Sequence, residues 1–175
     1  MSSNVITTPR LRLRPYTPLD LKAAADLWSD LSTAGSVTGL PANREEVWNI
    51  LLRYTGSWAW FGYGYWAVED LESGIIIGEV GIDNFNRNMD FDSEGKLELG
   101  YAITPAAQRQ GYGKEAVGAA IAWADEHLEE SLFALILPTN YASVRLATGH
   151  GFEFRGETKY GAEVFSVYIR DRNSI

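Results

Sequence analysis

The residues best placed by type and spacing to do chemistry lie in "QRQGYGKEAVGAAIAWADEHL", residues 108–128. Gly111-Tyr112-Gly113-Lys114-Glu115-Ala116 matches the dinucleotide fingerprint G-x-G-x-x-G/A and half-matches a P-loop. A glycine-rich turn that opens a helix presents successive backbone N–H groups and the positive end of a helix dipole, which suits a phosphate. A P-loop needs Ser or Thr after its lysine to ligate magnesium. Glu115 stands there instead, and its charge would repel a triphosphate. A Rossmann fingerprint must follow directly on a strand, with an acidic residue about 20 positions later at the end of the next strand. Here "PAAQRQ" intervenes and the next strand ends in Leu137-Pro138-Thr139, which weighs against an NAD-binding oxidoreductase. Two readings remain: a seat for one diphosphate between Gln108 and Lys114, or a strand-to-helix turn that holds nothing.

Other candidates are few. Cysteine is absent, which excludes disulfides, thiolate metal sites and a thiol nucleophile. His127 and His150 are isolated, so no histidine-rich metal site can form and neither is given a role. Glu79 sits between apolar residues of "GIIIGEVGI", and burial there would raise its pKa. Glu98 alternates with Leu97 and Leu99 and faces either water or a groove. The segment "TGSWAWFGYGYW" gathers Trp58, Trp60, Phe61, Tyr63 and Tyr65 between glycines: a binding wall, a dimer contact or a minor core. Charge adds a constraint on partners. The 15 basic and 23 acidic residues give −8, which argues against nucleic acid and favours a cationic partner. Asp90, Asp92 and Glu94 are either part of that negative field or a solvated loop.

These residues require a scaffold. A chain of 175 residues predicts one domain, 1–175, with no membrane span and no signal peptide. "RLRLRPY" alternates as a strand, and "TPLDLKAAADLWSDL" has a Thr17 cap and an apolar helical stripe. "NREEVWNILLRY" carries a capping box, Asn43 with Glu46, and reads as a helix ending near Tyr54 in a glycine- and aromatic-rich loop. "YWAVED", "GIIIGEVGIDNF" and "KLELGYAIT" follow as strands, then the glycine turn with its long helix, then "LFALIL" as a strand buried on both sides. A short helix from about Tyr141 to Thr148 precedes a closing hairpin, "FEFRGETK" and "EVFSVYIRD". The class is mixed α/β.

Taken with this order, "QRQGYGKEA" resembles the acetyl-CoA loop Q/R-x-x-G-x-G/A of the GNAT acetyltransferase superfamily. "NYASVRLATGHGF" is similar to its N-x-x-S…G-F segment, and "TPRLRLRPYTPLDL" and "SGIIIGEVGI" resemble the RimJ/RimL-like branch. The resemblance covers nearly the whole chain. It implies a twisted mixed sheet of about seven strands with about four helices on both faces, and acetyl-CoA as acyl donor without a metal. It also implies a cytoplasmic monomer or homodimer acting on an amine: a protein N-terminus, an amino acid, a polyamine or an aminoglycoside. With no cysteine to carry an acyl group, the amine attacks directly in a ternary complex. A non-catalytic acyl-CoA-binding or sensing module is the other reading.

The resemblance further implies that the strand "LELGYAI" splays from "LFALIL". The pantetheine arm would then lie on Tyr101, Ala102 and Ile103, with a backbone N–H near Ala102 or Ile103 polarising the thioester. The diphosphate would sit on Gln108, Arg109, Gln110, Gly111, Tyr112, Gly113 and Lys114. Asn140 and Ser143 match N-x-x-S, so Asn140 would hold the arm and Ser143 would lie near the sulfur, although Asn is also a common N-cap and Ser a common first-turn residue. N-terminal acetyltransferases often carry a Tyr and a Glu at the positions occupied here by Ala147 and Leu135, so the usual acid–base pair is missing. Glu98, Glu79 and Ser143 are the remaining catalytic candidates. The acceptor wall is expected from Trp58, Trp60, Phe61 and Tyr65 and, in "NFNRNMDFDSEG", from Asn84.

Overall fold

The structure is a computed structural model that describes residues 4–30, 33 and 41–172. In β2 (Leu11–Pro15) alternation puts Leu11 and Leu13 wholly in the core and turns Arg12 and Arg14 to the other face, where both bind Glu69. Pro18 pre-sets a 3₁₀ turn whose Asp20 accepts from the backbone N–H of Thr17 and leads into α1 (Leu21–Ser29). The predicted last residue of this helix, Leu31, lies outside the described residues.

The capping box forms as the sequence implies. Asn43 accepts from the N–H groups of Glu45 and Glu46, Glu46 accepts from that of Asn43, and α2 (Arg44–Phe61) begins there. This helix does not end near Tyr54. It runs through Gly56 and stops at Gly62, whose left-handed φ of 75° only glycine adopts cheaply. The expected glycine–aromatic loop is therefore mostly the last turns of a helix.

Strands β3 (Tyr65–Asp70), β4 (Ile76–Asp83) and β5 (Lys96–Ile103) form a meander, followed by α3 (Tyr112–His127), β6 (Ser131–Ile136), α4 (Tyr141–Gly149), β7 (Glu153–Tyr160) and β8 (Glu163–Arg170). With β1 (Ile6–Thr7) they make one eight-stranded sheet in the order β1-β2-β3-β4-β5-β6-β8-β7, parallel only between β5 and β6. The eighth strand beyond the expected seven is β1, two residues long and too short to show a period. Helices α1 and α2 cover one face, with Leu27, Val47 and Tyr54 packed towards Tyr65, Ala67 and Ala102. Helix α3 covers the other, with Val117, Ala120 and Ile121 against Val80, Ile82, Leu99 and Leu132. Among the described residues no helix is long and apolar enough to cross a membrane.

Two features of the sheet shape the surroundings of β5. Strands β5 and β6 pair only between Lys96–Glu98 and Ser131–Phe133, and beyond Glu98 they separate. Tyr65 lies flat over two glycines: a Cβ on Gly81 would meet its ring at 2.1 Å, and one on Gly100 would meet its hydroxyl at 2.0 Å.

Candidate active site

Where β5 leaves β6, its backbone is left open on one side. Thr104 donates to Ile77 and Ile82 donates to Gly64, so the alternation of an antiparallel ladder turns Glu98, Gly100 and Ala102 towards β4. Tyr101 therefore points its N–H and C=O into the gap, with the Leu99 C=O before it and the Ile103 N–H after it. The Ile103 carbonyl accepts from the Gln108 side chain at 2.9 Å. This corrects one expectation: the Ala102 backbone serves the β4 ladder, and its side chain is buried on the α1–α2 face.

At the far end of β5 the glycine turn opens α3. Arg109 and Gly111 both adopt left-handed φ, 61° and 84°, which curls the chain so that consecutive amides face one way. The N–H groups of Tyr112, Gly113 and Lys114 lie in the first helical turn and have no helical partner. A Cβ on Gly113 would meet Leu146 and Ile103 only at ordinary contact distances of 3.5 and 3.7 Å, so packing alone does not require glycine there. Glu115 is turned out of this seat. It accepts from the Thr8 hydroxyl at 2.6 Å and pairs with Arg10 at 2.7 Å, while Arg10 also donates to the Gln110 carbonyl and lies over the Tyr112 ring. Burial pushes the Glu115 carboxyl up, but the bonds from Thr8 and Arg10 outweigh it and hold it below the usual range.

The gap opens into a cavity of about 420 Å³ that continues onto the α1–α2 face. On the gap side it is lined by Leu99, Tyr101, Ala134, Ile136, Asn140 and Ser143. Asn140 caps α4 by accepting from the Ser143 N–H, and the Ser143 carbonyl accepts from the Tyr101 hydroxyl at 3.0 Å. Burial raises Tyr101 to about 12, so it stays a donor at neutral pH. The floor on the other side is Glu79 and Gly100 beneath Tyr54 and Tyr65, whose rings stack 4.3 Å apart. Glu79 is buried and accepts from the hydroxyls of Tyr16 and Tyr54, each at 2.8 Å. Burial dominates and raises its carboxyl above the ordinary value; the two phenols pull the other way without cancelling it. Glu98 is held by both guanidinium arms of Arg87 at 2.6 and 2.9 Å. Phe85, Arg53 and the β7–β8 turn from Tyr160 to Glu163 complete the rim.

The open strand edge of β5 borders the cavity, and the helix-opening amides stand beyond the far end of the same strand. A family model described as "Acetyltransferase (GNAT) domain" matches residues 10–153. The chain belongs to the GNAT acetyltransferase family.

Among GNAT structures it is similar to a protein of Bordetella pertussis described as a GnaT-family acetyltransferase, at 25% identity and TM-score 0.83 over 95% of this chain and 98% of that one. A phosphinothricin acetyltransferase of Sinorhizobium meliloti, solved in complex with acetyl-CoA, shares the fold at 20% identity and TM-score 0.72, over 96% of this chain and 88% of that one. YkkB, an uncharacterized protein of Bacillus subtilis, is 27% identical over 111 residues, 63% of this chain. The match spans 62% of YkkB, less than two thirds of that curated relative.

Within the GNAT frame the structure gathers Glu79, Glu98, Tyr101, Asn140, Ser143 and Tyr65 around one cavity. The rest of the expected acceptor wall lies elsewhere. Trp58 packs edge-on against Trp66 and Trp123 and donates to the Tyr65 carbonyl. Trp60 is 81% exposed, and Phe61 stacks on Tyr63 at the helix end. Asn84 is exposed beyond β4, where its side chain closes a local turn with Asn86. Asp90, Asp92 and Glu94 also stay outside, because Met89 and Phe91 anchor that loop against Phe133. Arg53, Phe85 and Arg87 take the places that the sequence reading gives to these residues. Among the described residues no cluster of acidic or histidine side chains could hold a metal ion.

Proposed function

We propose that the chain transfers an acetyl group from acetyl-CoA directly to a primary amine in a ternary complex. The observation that carries this reading is the parting of β5 from β6 into a cavity whose floor is a buried carboxylate. Free backbone groups of Leu99, Tyr101 and Ile103 can pair with the amides of a pantetheine arm as a strand would. The amides from Arg109 to Lys114 suit the diphosphate, and acetyl-CoA is the ligand in the complex of the Sinorhizobium neighbour.

Glu79 is the proton acceptor in this reading, in preference to Glu98: Glu79 accepts from neutral phenols, whereas the charge of Glu98 is neutralised by Arg87. An alkylammonium must lose a proton before its nitrogen attacks the thioester carbonyl; a C–N bond then forms, the C–S bond breaks and the thiolate takes up a proton. The N–H of Tyr101 or Ile103 points to the side where charge gathers on the carbonyl oxygen. Ser143 lines the same gap and offers a hydroxyl to the leaving sulfur. The RimJ/RimL-like branch and a cytoplasmic setting are part of this proposal, supported by the opening segment "TPRLRLRPYTPLDL" and "SGIIIGEVGI".

Calorimetric titration with acetyl-CoA, paired with thiol release across a panel of amines, tests it. Saturable binding with release for one amine class supports the transferase. Binding without release for any amine makes the chain an acyl-CoA-binding module instead, and absence of binding removes both readings.

A further inference from the structure

The acceptor side of the cavity contains one cation without a counter-ion among the described residues. Arg53 and Arg87 both lie over the Phe85 ring, at 4.6 and 4.5 Å from its centroid. Arg87 is neutralised by Glu98. Arg53 makes no ion pair among the described residues, and residues 31, 32 and 34–40 contain no acidic side chain that could supply one. Glu79 and Asp83 make their hydrogen bonds with neutral donors, Glu79 with Tyr16 and Tyr54 and Asp83 with Ser57 and the Asn84 N–H, and neither forms an ion pair with Arg53. A guanidinium held on an aromatic face at the rim of a cavity, with its N–H fork unused, is built to receive an anion.

Resting on the transferase reading, we propose that the acceptor is a small amphoteric amine, its amino group directed to Glu79 and its anionic group received by Arg53. The carboxylate of a free amino acid and the phosphonate of an aminoalkylphosphonate share the chemistry required. The same feature disfavours a polyamine, whose second cation would meet Arg53, and a peptide N-terminus, which presents a neutral amide where the anion belongs. The whole-chain charge of −8 points towards cationic acceptors, but Asp90, Asp92 and Glu94 are outside the cavity, and Glu163 is the one acidic residue of the β7–β8 turn on its rim. The local field, not the global one, meets the substrate.

The experiment compares thiol release from acetyl-CoA for free amino acids, aminoalkylphosphonates, the matching carboxamides, the decarboxylated amines and polyamines. It uses the full chain and its Arg53→Ala and Arg53→Lys variants. Arg53 is exposed on α2, and acetyl-CoA titration and thermal unfolding of each variant check that the fold is kept. An amphoteric amine should exceed its own carboxamide by at least about tenfold in kcat/KM, chiefly through KM. Arg53→Ala should erase that preference, and Arg53→Lys should keep part of it. Comparison of carboxylate with phosphonate names the anion. Carboxamides or polyamines that match or exceed the amphoteric amines overturn the inference and leave the transferase standing. So does an Arg53→Ala variant that lowers both classes equally. Acetyl-CoA binding with no release for any amine overturns the transferase reading and this inference with it.

Discussion

At the scale of single residues, Glu79 carries opposite consequences for folding and for chemistry. Its carboxyl is raised by burial, so the native state keeps its proton to a higher pH than the unfolded chain does. Stability from this group is full below the ordinary carboxylate range and falls as pH rises through the unfolded and then the folded value. Glu79→Gln should flatten that decline in denaturant titrations from acid to neutral pH, while Asp83, also raised by burial, keeps its own share of the slope. Asp20 and Glu69 act in the other sense. Burial raises them too, but their bonds with arginine outweigh it and hold both low, so their contribution vanishes on acidification. As base, Glu79 should give kcat/KM an acid limb that Glu79→Gln lacks, with activity at neutral pH reduced by about 10²–10⁴-fold. An unaltered limb in the variant would remove Glu79 from the mechanism. Glu79 is legible in sequence because a carboxylate inside an apolar strand is conspicuous. Arg53 is not legible: an arginine on the exposed side of a helix looks the same whether it faces bulk water or a cavity mouth.

At the scale of elements, α2 shows where sequence signals mislead. Its start is written in the Asn43–Glu46 box, but its end is hidden because Gly56 suggests a break that tertiary packing overrides. A helix ended too early puts the aromatic cluster in a loop, and its rings in a wall they do not build. Asn43→Ala should cost about 1 kcal/mol in chemical denaturation, since two amides lose their acceptor. Strand β5 allows a sharper test. Gly100→Ala sets a methyl against the Tyr65 hydroxyl and should destabilise by about 1–3 kcal/mol. Tyr65→Phe should recover part of that loss in a double-mutant cycle, and additive effects would mean that the ring does not rest on this glycine. In the glycine turn, Gly113→Asp places a carboxylate in a first helical turn, where the dipole favours it. The melting temperature should hold while acetyl-CoA affinity falls at least about tenfold, because the new charge opposes a diphosphate.

At the scale of the molecule, order and pairing are unequally legible. The succession of elements follows from period and punctuation, because each strand and helix announces itself over several residues. The partial pairing of β5 with β6 has no local signature. Leu97 and Tyr101 belong to one alternating run, and nothing in it marks Glu98 as the last paired residue; that point comes only from the resemblance. The parting leaves the β1–β5 and β6–β8 portions joined by three paired positions along that seam. A ligand that fills it should tie them together: acetyl-CoA at about 100 times its Kd adds about 2.7 kcal/mol, read as a rise of several degrees in the melting temperature, which NAD should not reproduce. The rim of the cavity is assembled differently from its floor. Glu79 and Gly100 belong to central strands, whereas Phe85 and Arg87 come from a connecting segment and Tyr160 to Glu163 from a turn at the sheet's free edge. Connecting segments tolerate substitution and insertion better than paired strands do. In the transferase reading, acceptor preference can therefore drift over evolution by rewriting a few peripheral positions, while Glu79 and the open edge of β5 stay fixed in the interior of the sheet.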